Sequence, residues 1–254
     1  MKVVLFCGGL GLRMGATSRR VPKPMVTIGG RPMLWHIMGY YASYGFRDFI
    51  LCGGHRAEVI SRYFTRCDEV RSKEWSVQVV DTGLHAVVGE RLRQVGPLLA
   101  GEEIFLANYG DVLTDAPLDR MVEVLVDSGK TALLLGARPR YNFHVIDVGA
   151  DDVVGGIRDV TTTDLWINGG FFVFRRELLR SIRKGDDLVE QPFQRLIRAD
   201  ELIAYPHDGF WAPMDTLKDQ QLLESLHRSG RAPWLRSRTQ RAQKTREPVG
   251  LGRA

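Results

Sequence analysis

The residues with the clearest chemical meaning stand near the N-terminus, in the run Gly8-Gly9-Leu10-Gly11-Leu12-Arg13-Met14. Three glycines directly after an apolar stretch let backbone N–H groups turn toward one point, which makes a nest for a phosphate. No Gly-Lys-Ser/Thr follows, so the loop is not a Walker A motif. Counted from Gly9, a dinucleotide fingerprint would put its third glycine at Met14, so that reading fails too. Arg13 adds a cation, and Lys23 within Pro22-Lys23-Pro24 adds another. Amides, a guanidinium and an ammonium offered to one site suit a triphosphate, whose oxygens need several positive partners. A tight strand-to-helix turn would use the same glycines. Farther along, Asp111 follows Tyr109-Gly110 at the end of an apolar run. That is the place, outside the carboxyl end of a strand, where open α/β sheets bind ligands. Asp215 stands before a helical stretch, where a helix cap would also use an Asp.

The elements that must position these groups alternate between strand and helix. Lys2–Cys7 reads as a strand buried on both faces, being short, apolar and stopped by glycine. Pro32–Tyr44 carries Met33, Leu34, Ile37, Met38 and Tyr41 at helical spacing, with Gly45 as the stop. Strands are expected over Phe46–Cys52, Trp75–Asp81 and Glu103–Asn108, and helices over Ala57–Phe64 and Pro117–Ser128. The second half has short runs at Thr131–Ala137, His144–Val148 and Val153–Ile157, spaced for an antiparallel excursion. A longer strand over Trp166–Phe174 contains Gly169-Gly170. Helices around Arg176–Arg183 and Glu190–Ala199, a strand over Glu201–Pro206 and a helix over Thr216–Arg228 follow. The sum is one α/β domain over residues 1–235, an open sheet with helices on both faces.

Composition excludes several classes. With 254 residues, 44% hydrophobic and 26% charged, the chain is neither disordered nor collagen-like. No apolar run approaches the roughly 20 residues of a membrane-spanning helix, and no signal-peptide core precedes Gly8, so a soluble cytoplasmic protein is expected. The net charge of +5 belongs to the C-terminus, where residues 228–254 hold eight Lys/Arg and one acid, leaving the rest net negative by two. Residues 236–254 read as a basic, disordered tail, which more often solvates a terminus than holds nucleic acid. Cys7, Cys52 and Cys67 show neither CxxC nor Cys/His spacing and read as small hydrophobes in a reducing compartment. The six histidines lack zinc-ligand spacing.

Gly8-Gly9-x-Gly11-x-Arg13, Pro22-Lys23-Pro24-Met25 and Gly29-Gly30-x-Pro32 together resemble the sugar-phosphate nucleotidylyltransferases. The resemblance is nearest to the glucose-1-phosphate cytidylyltransferases through Leu34-Trp35-His36-Ile37-Met38, Val80-Asp81-Thr82-Gly83, Tyr109-Gly110-Asp111, Ile167-Asn168-Gly169-Gly170 and Gly209–Thr216. It covers about residues 1–235. It implies a Rossmann-like open mixed sheet flanked by helices, with a small β-rich sugar-binding lobe, as in nucleotide-diphospho-sugar transferases. It implies transfer of a nucleotidyl group, CMP from CTP, to a sugar 1-phosphate with release of pyrophosphate. By the same resemblance Arg13 and Lys23 polarise the phosphates, and Asp111 and Asp215 hold Mg2+. Gly8, Gly9, Gly11, Thr82, Gly83, Gly89 and Arg91 contact the nucleotide. Tyr109, Arg158, Asn168 and Gly169 contact the sugar phosphate.

The sequence also departs from that family. Leu12 replaces a hydroxyl residue in the first loop, and Val88-Gly89-Glu90-Arg91-Leu92 replaces Thr-Gly-Gly-Arg-Leu. The family's Glu-Lys-Pro falls at Arg158-Asp159-Val160, with the charges in reversed order. The same chemistry with dTTP or UTP and another sugar 1-phosphate therefore stays open. So does a nucleotide-sugar binder without catalysis. The segment before Trp75 is shorter than in the family and bears on assembly, which leaves a homo-oligomer open. Membrane and nucleic-acid partners are not expected.

Overall fold

The computed structural model describes residues 1–9, 11, 21–72, 74–140 and 143–235. Arg13, Leu10, Leu12 and the basic tail 236–254 lie outside the described residues.

Strand β1 (Lys2–Phe6) is an interior strand of a seven-stranded sheet. A short ribbon, β2 (Thr27–Ile28) and β3 (Arg31–Pro32), leads into helix α1 (Met33–Ala42). Then come β4 (Asp48–Gly53), α2 (Ala57–Arg66), the single-turn α3 (Asp68–Arg71), β5 (Ser76–Asp81) and α4 (Val88–Val95). The chain continues through β6 (Ile104–Tyr109), β7 (Val112–Thr114), α5 (Leu118–Ser128), β8 (Ala132–Ala137) and a hairpin, β9 (His144–Val148) with β10 (Val154–Asp159). It closes with β11 (Ile167–Arg175), α6 (Gln194–Arg198), β12 (Leu202–His207), β13 (Trp211–Pro213) and α7 (Leu217–Arg228). No described helix is long and apolar enough to cross a membrane.

The sheet order is β12-β8-β11-β6-β1-β4-β5. Its pairs are parallel except at β11, which runs antiparallel to both β6 and β8. The chain moves from β1 outward through β4 and β5, then returns to β6 on the other flank of β1. The crevice at the carboxyl ends of β1 and β6 is thus a topological switch point.

Alternation along β1 divides the core. Val3 and Leu5 pack on one face with Met33, Leu34, Ile37 and Met38 of α1, whereas Val4 and Phe6 pack on the other with Leu92 and Val95 of α4. A strand with helices on both faces must be apolar at every position, which is the continuous run the sequence displays. The Gly129 stop of α5 takes a left-handed conformation, φ 66°.

Three expectations need correction. Ala132–Ala137 is not part of an outlying excursion but a buried strand of the main sheet; only the β9–β10 hairpin stands apart. Arg176–Ser181 is a 3-10 run, and Val189–Phe193 forms a π-helical turn ahead of α6, with Pro192 inside it. Pro lacks the N–H that regular helical bonding needs there. Helix α4 was not foreseen, because Arg91 interrupts the apolar face made by Val88, Leu92 and Val95.

Candidate functional site

A cleft of about 580 Å³ opens at the switch point, lined by Gly8, Gly9 and Gly11 after β1, by Lys23 and Pro24, by Tyr109, Gly110 and Asp111 after β6, and by Ala86–Val88, Arg91 and Asp187 opposite.

Three side chains far apart in sequence meet at its edge: Lys23 and Asp111 line the cleft, and Asp215 stands behind them. Lys23 donates from Nζ to Asp111 Oδ2 and to Asp215 Oδ1, at 2.5 Å each. The fold arranges this locally. Lys23 begins a 3-10 turn, Lys23–Met25, framed by Pro22 and Pro24, with Val26 N donating to Lys23 O. Asp111 follows β6 directly. β13 pairs antiparallel with β7 in the register Pro213↔Val112, and Met214 N donates to Asp111 O at 2.9 Å, which delivers Asp215 next to Asp111. Asp215 is then fixed from behind. The Asp219 carboxylate accepts from the N–H of Asp215 and of Thr216 in a capping box that starts α7. Burial opposes the charge on Lys23, but Asp111 and Asp215 outweigh it and hold its pKa above the ordinary lysine value.

Arg91 makes a second centre. Its side chain is buried, and its guanidinium donates to Gly53 O (2.7 Å), Thr82 Oγ1 (2.6 Å) and Gly8 O (3.1 Å). It therefore ties together the loops that end β1, β4 and β5. Gly8 is required by this packing, because a Cβ there would lie 2.0 Å from Arg91 Nη1.

The placement of the other sequence-designated residues is mixed. Gly8, Gly9, Gly11, Arg91 and Tyr109 line the cleft. Thr82 is buried as a partner of Arg91 and of Gly53 O. Gly83 forms a turn, its N–H on Asp81 Oδ1. Gly89 lies against the backbone of the Asp186 loop, where a Cβ would be 2.5 Å from Asp186 O. None of these three lines the cleft. Asn168 does not line it either: its Nδ2 reaches Tyr109 Oη at 3.5 Å and its Oδ1 accepts from Gly170 N. The Gly169-Gly170 pair is explained by packing rather than by a ligand. Gly170, φ 72°, lies against the Tyr109 ring, and Gly169 lies against Leu135 and accepts from Trp211 Nε1. Arg158 stands on the hairpin, 56% exposed, with its guanidinium on Asp147 Oδ1 at 2.8 Å. Asp159 caps the following 3-10 turn through Thr161. Neither lines the cleft. Asp187, which does, had no signal in the sequence beyond being one of two acids in a loop.

The Asp111–Asp215 pair fits a hard divalent cation. Two carboxylates already converge on one positive charge, and Mg2+ is commonly held by one or two carboxylates with substrate phosphates completing its shell. Among the described residues no cluster of three or more His, Cys, Asp or Glu forms a closed metal cage.

Glycines, a buried cation and a carboxylate pair thus gather at the switch point of an α/β sheet, and the chain belongs to the NTP transferase family, matching the MobA-like NTP transferase domain over residues 3–231. It is 36% identical to the glucose-1-phosphate cytidylyltransferase of Salmonella typhimurium across 92% of this chain and 98% of that one. It is 24% identical to the mannose-1-phosphate guanyltransferase of Saccharomyces cerevisiae, over 86% of this chain and 62% of the relative. The fold is shared with UDP-glucose pyrophosphorylase solved with UDP-glucose, at a TM-score of 0.69 and 14% identity, covering 91% and 99% of the two chains.

Proposed function

We propose that this chain is a sugar-1-phosphate cytidylyltransferase, moving CMP from CTP to a sugar 1-phosphate. The observation that carries this reading is the meeting of Lys23 and Asp111, which line the glycine-bearing cleft, with Asp215, which reaches them through the Lys23 ammonium. A sugar-phosphate oxygen attacks the α-phosphorus of the nucleotide, the new P–O bond forms, and the α–β bond breaks to release pyrophosphate. Both reactants are anions, so the protein must mainly position them and neutralise charge. The amides of Gly8, Gly9 and Gly11 receive the triphosphate, and Arg91 holds that loop in shape from below. Lys23 offers its ammonium to the phosphates. Asp111 and Asp215 would hold Mg2+, which supplies charge neutralisation at the reacting phosphates when bound. Tyr109, steadied by Asn168, stands on the wall of the cleft and suits the sugar. Arg13, two positions after Gly11 in the sequence, would add a guanidinium.

The 36% identity to a cytidylyltransferase supports CTP. Matching each common nucleoside triphosphate against a panel of sugar 1-phosphates with Mg2+, read by pyrophosphate release, tests the proposal. CTP with a hexose 1-phosphate is expected to give the highest kcat/KM. Turnover confined to another triphosphate would overturn the cytidylyl assignment, and no turnover with any pair would overturn the enzyme reading.

A further inference from the structure

The Lys23 side chain lines the cleft, but its ammonium is taken up by two carboxylates. It is buried, with 9% of its side chain exposed, and bridges Asp111 Oδ2 and Asp215 Oδ1 at 2.5 Å each. Both carboxylates are themselves mostly covered, at 28% and 17% exposed. Two anions so close and so poorly solvated need a cation between them for the site to hold its shape. A divalent ion bridging the same two oxygens would need the space the ammonium fills, and an ammonium left beside it would repel it.

We propose that Lys23 is the resident cation of the carboxylate pair, and that a divalent ion enters by displacing it. The displaced ammonium then has no carboxylate partner, and the incoming triphosphate supplies one. The same side chain thus makes the free protein a poor metal binder and gives the metal-loaded protein a vacant ammonium for phosphate. Metal and nucleotide are thereby coupled through one lysine. This inference rests on the reading of Asp111 and Asp215 as metal ligands.

Manganese binding to the nucleotide-free protein tests it, measured by loss of the free Mn2+ signal in electron paramagnetic resonance. Lys23→Met, which keeps an unbranched side chain one atom shorter and removes the charge, should bind Mn2+ about tenfold tighter or more than the parent. Lys23→Arg, which keeps the charge, should bind no tighter than the parent. The gain should vanish in the double variant Lys23→Met/Asp111→Asn, which locates the ion at the pair. Thermal unfolding gives an independent readout: without metal Lys23→Met should melt below the parent, and Mn2+ should raise its Tm more than the parent's. Equal Mn2+ affinity in parent and Lys23→Met, or a gain that survives Asp111→Asn, overturns the resident-cation role while the metal reading stands. Absence of Mn2+ binding at millimolar concentration in every variant overturns both.

Discussion

Asp111 and Asp215 share one charge partner, so each substitution has a definite expected consequence. Asp111→Asn and Asp215→Asn each leave Lys23 one carboxylate, which preserves the fold, yet weaken the proposed metal site. Turnover should fall by about a hundredfold or more with an unchanged circular dichroism spectrum; turnover within a few-fold of the parent in either variant would refute their shared role. The neighbouring glycines separate in the same way. A Cβ on Gly8 meets the fixed guanidinium of Arg91, whereas a Cβ on Gly9 meets nothing within 4 Å among the described residues. Gly8→Ala should therefore destabilise by about 2 kcal/mol, the scale of a charged hydrogen bond broken in a buried place, and raise the KM for CTP. Gly9→Ala should shift the urea midpoint little, and equal effects from both would exclude the Arg91 clamp. At this scale the sequence was legible where residue type dictates chemistry: Lys23, Asp111 and Asp215 were recognisable, and they meet. It was illegible where a side chain serves another side chain. Thr82, Gly89 and Asn168 carry motif positions, but they work by packing and hydrogen bonding behind the cleft wall.

Elements deliver the site with a tolerance that depends on how they are fastened. Asp215 sits between a three-residue strand and a helix start, so its position depends on the β7–β13 register and on the Asp219 cap. Asp219→Ala removes the acceptor for the Asp215 and Thr216 amides. It should cost about 1 kcal/mol of stability, as a lost cap does, and lower kcat several-fold with little change in the KM for the sugar phosphate. A loss of stability with full kcat would mean that Asp215 is held without the cap. The long elements were legible because their periodicity is undiluted. β1 is apolar throughout, α1 is buried almost all round, and α7 is amphipathic with a capping residue at Thr216. Helix α4 was hidden by a buried arginine in its apolar stripe, and β7 and β13 by their three-residue length, too short for a period to register. Helix α4 lines the cleft and the β7–β13 pair delivers Asp215, so the site was harder to read than the sheet that carries it.

Over the whole molecule, the C-terminal end of the described chain is pinned to the first helix of the sheet by a buried histidine. His36 donates from Nε2 to Ile28 O at 2.8 Å, and its Nδ1 accepts from Trp234 Nε1 at 3.3 Å, an arrangement that requires the neutral ring. Burial lowers its pKa to about 4 against the usual 6.5; the Ile28 carbonyl works the other way, His227 and Arg31 add to the lowering, and Glu224 opposes it. The folded state thus binds fewer protons than the unfolded chain between pH 6.5 and 4. The stability it contributes is complete above about pH 6.5 and is lost as pH falls toward 4. At pH 4.5 the loss should be about 2–3 kcal/mol relative to pH 7, and it begins above the range where Glu90, held near a pKa of 2 chiefly by Arg93, protonates. Urea unfolding followed by tryptophan fluorescence at the two pH values measures the loss, since Trp234 packs at an edge-on angle against His36. Proton resonances of the ring give the second reading, because His36 should stay neutral until well below pH 5. A ring that titrates near 6.5, or a stability equal at pH 7 and 4.5, would show that the contact with Trp234 does not hold the C-terminal segment to α1 in solution.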